Sequence, residues 1–179
     1  MNNVRAWVFR LLVLAVSAVM VASFVKPWWT CHLHTLGLDQ SVGKDLEIFA
    51  WGFRPDVNVL KEYLTTDITP LRMVRLAWAY LVVSVVLAMG STWVKGARGR
   101  WLLALVGLIH IAYAVAGILW IKQRTWERFH ILYQGYTYIP EAAGINVDAR
   151  VLLGYYLAPI SGALYVLLAL FRSLITGTP

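Results

Sequence analysis

Four long stretches of hydrophobic residues dominate the chain. They run from about residue 6 to 25, 76 to 94, 101 to 121 and 151 to 171. Each has the ~20 mostly apolar residues that a helix needs to cross the hydrocarbon core of a bilayer. None alternates polar and apolar residues, as a membrane-spanning strand does, and backbone groups in lipid must be satisfied within a helix or a closed barrel. The pattern predicts an all-α transmembrane fold, an antiparallel bundle of four helices.

The two long segments between these stretches, residues 26–75 and 122–150, carry shorter patterns. Alternation over residues 30–36 and the hydrophobic positions within 43–53 predict the two strands of a hairpin. The spacing within 57–64 predicts a short amphipathic helix. The second segment is rich in aromatic residues, which we expect to pack on the first loop, on the membrane interface or on a partner. We therefore predict a small cap, a hairpin plus a helix, at one end of the bundle.

The composition agrees with a membrane protein and excludes other classes. Hydrophobic residues make up 60% of the chain and charged residues only 14%, against about a quarter in soluble domains. These values exclude a disordered chain and an ordinary cytosolic enzyme. The chain has one cysteine, Cys31, so no intrachain disulfide can form and a disulfide-stapled module is also excluded.

The net charge of +7 is unevenly distributed. The ends of the hydrophobic stretches on one side carry basic residues and no acidic residue: Arg5, Arg10, Lys95, Arg98, Arg100 and Arg172. All Asp and Glu lie in the two long loops. The positive-inside rule then predicts cytoplasmic N- and C-termini, extracytoplasmic loops and a location in the cell membrane. We expect the first stretch to remain as an uncleaved anchor. The charge sets orientation, so no nucleic-acid partner is expected.

Small residues in the fourth stretch predict where helices pack closely. Gly154, Ala158 and Gly162 recur every four residues and so share one helix face. This face could seat against another span of the chain or against a second subunit. Pro159 lies beside it and predicts a bend.

His110 lies near the middle of the third stretch. An ionisable group at that depth is costly and suggests a function. It could be an axial haem ligand, a proton relay or a substrate contact. Because no other stretch contains a histidine, a bis-histidine haem would need a second subunit. The alternative is a neutral histidine bonded across the bundle to a tyrosine or serine, and the possible partners are Tyr80, Ser84, Tyr155, Ser161 and Tyr165.

Two histidines in the first loop, His32 and His34, are two residues apart. On a strand they share one side, so both rings could reach one copper or zinc ion. A third ligand would come from elsewhere, such as His130 or Asp39. The alternative is that both are interfacial polar residues.

Two arginines, Arg72 and Arg75, precede the second stretch and share a helix face. They could bind lipid phosphate or pair with acids such as Asp67, and simple snorkelling to the interface is the alternative. The hydrophobic stretches contain no acidic residue, which argues against an ion-coupled transporter. No catalytic residues are predicted.

The order of these parts resembles that of the claudin-type tetraspan proteins. The residues that carry the resemblance are Trp28-Trp29, Trp51-Gly52-Phe53 and the stretch from Pro70 to Arg75. The resemblance implies four spans, a long first outer loop folded as a small sheet and a short helix, and a scaffolding, adhesion or accessory role. The chain departs from the claudin pattern in having only Cys31 where claudins have a pair of loop cysteines.

We therefore expect a non-catalytic tetraspan protein, a structural or accessory subunit or an interaction module of a membrane assembly. Its expected partners are the lipid bilayer and other membrane subunits or further copies of itself, and no cofactor is expected. Two alternatives remain open. One is a subunit of a membrane redox complex that binds copper, zinc or haem. The other is a small enzyme that acts on a lipid, with His110 and tyrosines as acid–base groups.

Overall fold

The computed structural model describes residues 2–35, 46–53, 71–139 and 145–176. Its four long helices are α1 (Asn2–Val25), α2 (Leu71–Ser91), α3 (Gly96–Phe129) and α4 (Leu153–Leu170), and a short helix, α5 (Arg172–Thr176), follows. All four long helices are long and apolar enough to cross a membrane. The four helices predicted from the hydrophobic stretches are therefore confirmed.

Helix α3 is longer than its hydrophobic stretch predicts. It has 34 residues, about 51 Å at 1.5 Å per residue, and it continues past residue 121 to Phe129. The next residue, His130, caps the C-terminus of the helix and adopts a left-handed conformation with φ 49°. The backbone N–H of His130 donates to the Trp126 carbonyl at 3.0 Å, and that of Ile131 donates to the Thr125 carbonyl at 3.2 Å. These bonds close the helix end and turn the chain toward the sheet.

The described part of the cap is a five-stranded antiparallel sheet, in which the predicted hairpin is present and is extended by further strands. Its strands are β1 (Trp29–Thr35), β2 (Leu46–Phe49), β3 (Gly52–Phe53), β4 (Gly135–Ile139) and β5 (Ile145–Val151), in the order β3-β2-β1-β5-β4. The hairpin is the pair β1–β2, and the single strand predicted within 43–53 is in fact β2 and β3 joined by a turn. The aromatic second loop contributes β4 and β5. The predicted helix at 57–64 lies outside the described residues.

Each face of the sheet has its own chemistry, as strand alternation requires. One face is apolar and packs on the end of α3 and the segment that follows it; its buried residues are Trp29, Cys31, Ile48, Val147 and Ala149, packed with Ile121 and Ile131. On the other face His32 of β1 pairs with Asp148 of β5, which pairs with Tyr136 of β4. The apolar face therefore joins the sheet to α3. We call the end of the molecule that carries this sheet the sheet end.

The long helices contact one another in four pairs: α3 with α4, α1 with α4, α2 with α3, and α1 with α2. The small-residue face of α4 packs inside the chain. A methyl group on Gly154 would lie 2.4 Å from the Lys26 carbonyl oxygen. Ala158 is fully buried beside Trp28 and Ala114. Pro159 lies within α4 without ending it.

At the opposite end, Arg172 joins α5 to the end of α2. Its guanidinium donates to the carbonyl oxygens of Ser91 at 3.0 Å and Val94 at 2.7 Å, and it lies 5.4 Å from the centre of the Phe9 ring. The carbonyls at a helix C-terminus have no partner within the helix, so a half-buried cation there satisfies them. From the sequence, Arg172 is predicted only to help set the membrane orientation.

Candidate functional site

A cavity of about 590 Å³ opens at the sheet end, between α2, α3 and the turn that joins β2 to β3. We call it the aromatic pocket. Its lining residues are Trp28, Ile48, Phe49, Ala50, Trp51, Gly52, Met73, Leu76, Ala77, Tyr80, Tyr113, Ala116, Gly117, Trp120 and Ile121. The volume falls within the ~300–1,000 Å³ that small-molecule sites occupy. The pocket is therefore large enough to bind a ligand.

One wall of the pocket depends on a glycine. The Trp28 ring lies against Gly117 of α3, where an added methyl group would come within 2.5 Å of a ring carbon. The Trp28 indole N–H donates to the Ser23 carbonyl at 2.8 Å. The ring also meets Tyr113 and Tyr155 edge-on, with centroids 5.9 and 5.7 Å apart. Trp28 is thus fixed by a hydrogen bond and by close packing.

The roof of the pocket is the turn between β2 and β3, which is tied to two helices. Phe49 and Trp51 stack with centroids 5.0 Å apart. The Trp51 indole N–H donates to the Phe24 carbonyl of α1 at 3.2 Å. The Tyr113 hydroxyl of α3 donates to the Ala50 carbonyl. Buried backbone carbonyls need such partners, so these two bonds hold the turn over the pocket.

The inner end of the pocket is closed by stacked rings with a polar pair behind them. Tyr80 of α2 and Tyr113 of α3 stack at 4.9 Å. His110 lies about one helical turn before Tyr113 in α3 and is fully buried. The Tyr80 hydroxyl lies 3.1 Å from His110 Nδ1. Tyr80 is one of the partners considered for a neutral His110, so the structure pairs this intramembrane candidate with a tyrosine.

The second ring nitrogen of His110 is enclosed. Within the described part of the chain, Nε2 has no hydrogen-bond partner and is out of reach of solvent. The centroid of the His110 ring lies 6.2 Å from that of Phe24 and 6.3 Å from that of Tyr113. A haem iron would have to reach Nε2, and it cannot do so unless this packing opens. The arrangement does not fit an axial haem ligand.

The pocket lining determines which ligands suit it. The described lining residues include no acid, histidine, serine or cysteine. Its hydroxyls belong to Tyr80, paired with His110, and Tyr113, bonded to Ala50. A polar ligand would find almost nothing to replace its hydration, and burying it would be costly. The pocket is chemically suited to hydrocarbon.

The histidines proposed to bind a metal lie on β1. His32 is paired with Asp148, and the backbone of His34 with Asn146. The Asp148 carboxylate contacts Arg150 at 2.6 Å and raises the pKa of that guanidinium. Among the described residues, no group of three or more His, Cys, Asp or Glu could hold a metal ion. The His34 side chain and Asp39 lie outside the described residues.

The third ligand considered for that site, His130, ends α3. It is exposed, and its ring meets the Trp126 ring at 90° with centroids 5.9 Å apart. Together with its left-handed backbone, this contact gives His130 a structural role at the helix end.

The two lipid-phosphate candidates belong to the same turns of α2 as two lining residues of the pocket. Arg72 and Arg75 are exposed in the first turns of α2. Each directly precedes a lining residue, Met73 and Leu76, whose exposed fractions are 55% and 57%. The two arginines could be proposed from the sequence, but the pocket could not. One available signal was the stripe of small and aromatic residues on α3, formed by Tyr113, Ala116, Gly117 and Trp120.

Comparison with known proteins yields no relative: no protein-family profile matches the chain, and no curated protein matches it significantly.

Proposed function

We propose that the chain is a non-catalytic tetraspan protein of the cell membrane that serves as a structural or accessory subunit, or an interaction module, of a membrane assembly. The observation that carries this proposal is how little of α2 is buried within the described part of the chain. Of the most apolar 18 residues in each helix, 17% are buried in α2, against 39% in α1, 28% in α3 and 33% in α4.

The uncovered side of α2 is a continuous apolar surface. Its exposed residues include Val82, Val83, Val86 and Leu87. Because lipid also covers apolar helices, the buried share of α2 has to be compared with that of the other helices. Helix α2 is packed on one side only, whereas α1 and α4 have the largest buried shares. The small-residue face of α4, with Gly154, Ala158 and Gly162, is already used inside the chain. A partner helix from another membrane subunit therefore has α2 as its docking surface.

The proposed orientation places the sheet outside the cell and both termini in the cytoplasm. The lack of acidic residues beside the basic ones at the opposite end supports it. The sheet then presents outward the face that holds His32, Asp148 and Tyr136. Antiparallel packing of the four helices across the bilayer is part of the same proposal, supported by their four pairs of contacts.

The relationship to claudin-type proteins stays a proposal at the level of architecture. Four apolar helices with a small antiparallel sheet support it. A sheet that joins both loops would give an accessory subunit one rigid outer surface, because strands from the two loops are hydrogen-bonded side by side along β1 and β5.

Photocrosslinking in native membranes tests the partner surface. A photoreactive amino acid is placed at Val83 or Val86 of α2, and at Leu14 of α1, which is 51% exposed, as the matched control. We expect the α2 positions to form adducts with protein. The Leu14 position should form adducts with lipid only. Mass spectrometry of the adducts separates a second copy of this chain from another subunit. If the α2 positions yield only lipid adducts, the accessory-subunit proposal is wrong.

A further inference from the structure

We propose that the aromatic pocket holds one acyl chain of an anionic glycerophospholipid, and that Arg72 and Arg75 bind its phosphate. The inference rests on the membrane embedding proposed above. It does not depend on whether a protein partner docks on α2.

The mouth of the pocket lies where lipid chains would reach it. Met73, Leu76 and Trp120 line the pocket and are 55%, 57% and 40% exposed. They belong to α2 and α3, two helices apolar enough to cross a membrane. Side chains exposed on such helices face hydrocarbon once the protein is in a bilayer. The mouth therefore opens toward acyl chains.

The interior selects hydrocarbon over a polar ligand. The hydroxyls of Tyr80 and Tyr113 are engaged with His110 and the Ala50 carbonyl. An apolar cavity is also a poor site for water, because a buried water needs two to four polar partners. Hydrocarbon from the surrounding bilayer fills it at no such cost. A volume of about 590 Å³ suits a single chain, so the headgroup stays outside.

The charge at the mouth fits the headgroup. Arg72 and Arg75 are three residues apart in the first turns of α2, on one helix face. A guanidinium presents paired donors that match the oxygens of a phosphate. With one chain held beside Met73 and Leu76, the phosphate of the same lipid lies at the level of the two arginines. Two cations at one site favour an anionic headgroup over a zwitterionic one.

A photoreactive lipid tests the acyl-chain part of the proposal. The full chain is placed in nanodiscs of phosphatidylglycerol with a trace of the same lipid carrying a diazirine near the end of one acyl chain. We expect adducts concentrated on peptides that contain Tyr80, Tyr113 or Trp120. Ala77→Phe fills the pocket and should lower this labelling at least about fivefold. Ala79→Phe, on the same helix but outside the lining, should leave it unchanged.

The headgroup part has its own pair of variants. In nanodiscs that mix phosphatidylglycerol with phosphatidylcholine, the wild-type chain should label preferentially with the anionic lipid. Arg72→Gln/Arg75→Gln should reduce that preference several-fold. Arg98→Gln/Arg100→Gln, which removes two charges at the opposite end, should not. If inorganic phosphate abolishes the preference and chloride at the same ionic strength does not, the site binds free phosphate and the phospholipid assignment is overturned.

Other results overturn the proposal separately from the proposed function. Equal labelling of the Ala77→Phe and Ala79→Phe proteins, or labelling spread evenly over all four helices, contradicts an acyl-chain pocket. Should Ala77→Phe fail to fold, Ala116→Phe with Ala112→Phe as its control repeats the test on α3. Release of the chain from native membranes by alkaline carbonate would instead refute membrane embedding itself.

Discussion

Gly107 of α3 and Gly162 of α4 meet backbone to backbone. A methyl group on Gly107 would lie 2.5 Å from the Gly162 carbonyl oxygen, and one on Gly162 would lie 2.8 Å from the Gly107 carbonyl oxygen. Real side-chain carbons do not approach backbone so closely, so either substitution would push the helices apart. This contact explains why α3 and α4 can pack so closely, as small residues allow in membrane helices.

Gly162→Ala should therefore destabilise the protein. We expect a loss of about 1–3 kcal/mol in the free energy of unfolding, the usual cost of overpacking. The matched control is Gly90→Ala in α2, where an added methyl group meets nothing within 4 Å. That change should be neutral or stabilising by up to ~1 kcal/mol, because alanine is the better helix former. Denaturation in mixed detergent micelles measures both, and equal stabilities would contradict the contact.

The pair of Tyr80 and His110 gives a second prediction. Tyr80→Phe leaves His110 Nδ1 buried without its partner at 3.1 Å, and should cost about 1–2 kcal/mol of stability. Tyr156→Phe, at a residue that is 47% exposed, should change stability by less than ~0.5 kcal/mol.

A double-mutant cycle separates this bond from general packing. Adding His110→Phe to Tyr80→Phe removes both polar partners, so the double variant should be more stable than the sum of the single losses predicts. Strict additivity would show that the two groups do not interact. The same purified samples give an absorbance spectrum, and a haem band that disappears with His110→Phe would revive the haem alternative.

The reactivity of Cys31 tests which face of the sheet packs against α3. It is the one cysteine of the chain and is 4% exposed, on the face packed against α3. Maleimide should modify it at least about tenfold more slowly in the folded protein than in denaturing detergent, because the reagent must wait for local opening. Tyr136→Cys in a Cys31→Ser background, at a site 70% exposed, should react at the unfolded rate. Fast labelling of native Cys31 would contradict the described sheet face.

The same chemistry tests orientation in intact cells. A membrane-impermeant maleimide should label Cys31→Ser/Tyr136→Cys without permeabilisation, since we propose that the sheet faces outward. Cys31→Ser/Arg98→Cys, at an exposed position of the opposite end, should be labelled only after permeabilisation. The reverse pattern would invert the proposed topology.

The features that could be predicted from the sequence are those set by local pattern. Length and apolarity predict the four helices, since each helix satisfies its own backbone. The alternation around Thr30 predicts β1. His110 needs a polar partner at its depth, and Tyr80 was among those considered. The strict alternation of Ile145–Val151 also marks β5, although our predictions place no strand there.

The remaining features depend on contacts between distant segments. Nothing in the local pattern of β1 specifies that its partner is β5, with Trp29 opposite Val151. The spacing of Gly154 and Gly162 predicts a packing face but not which surface it meets. The aromatic pocket combines residues of α2 and α3 with Trp28 and residues 48–52, and only the folded chain brings these together. Charges after Ile121 end the hydrophobic stretch, yet the helix continues to Phe129, where backbone hydrogen bonds from His130 and Ile131 close it.

The accessory-subunit proposal is tested most directly by the mass of the particle extracted from native membranes into polymer nanodiscs. Mass photometry or native mass spectrometry should find the 20.2 kDa chain together with at least one further protein chain. Val86→Trp on the uncovered side of α2 should release that chain, and Leu14→Trp on α1 should not. A wild-type particle that holds a single 20.2 kDa chain and lipid only would contradict the account.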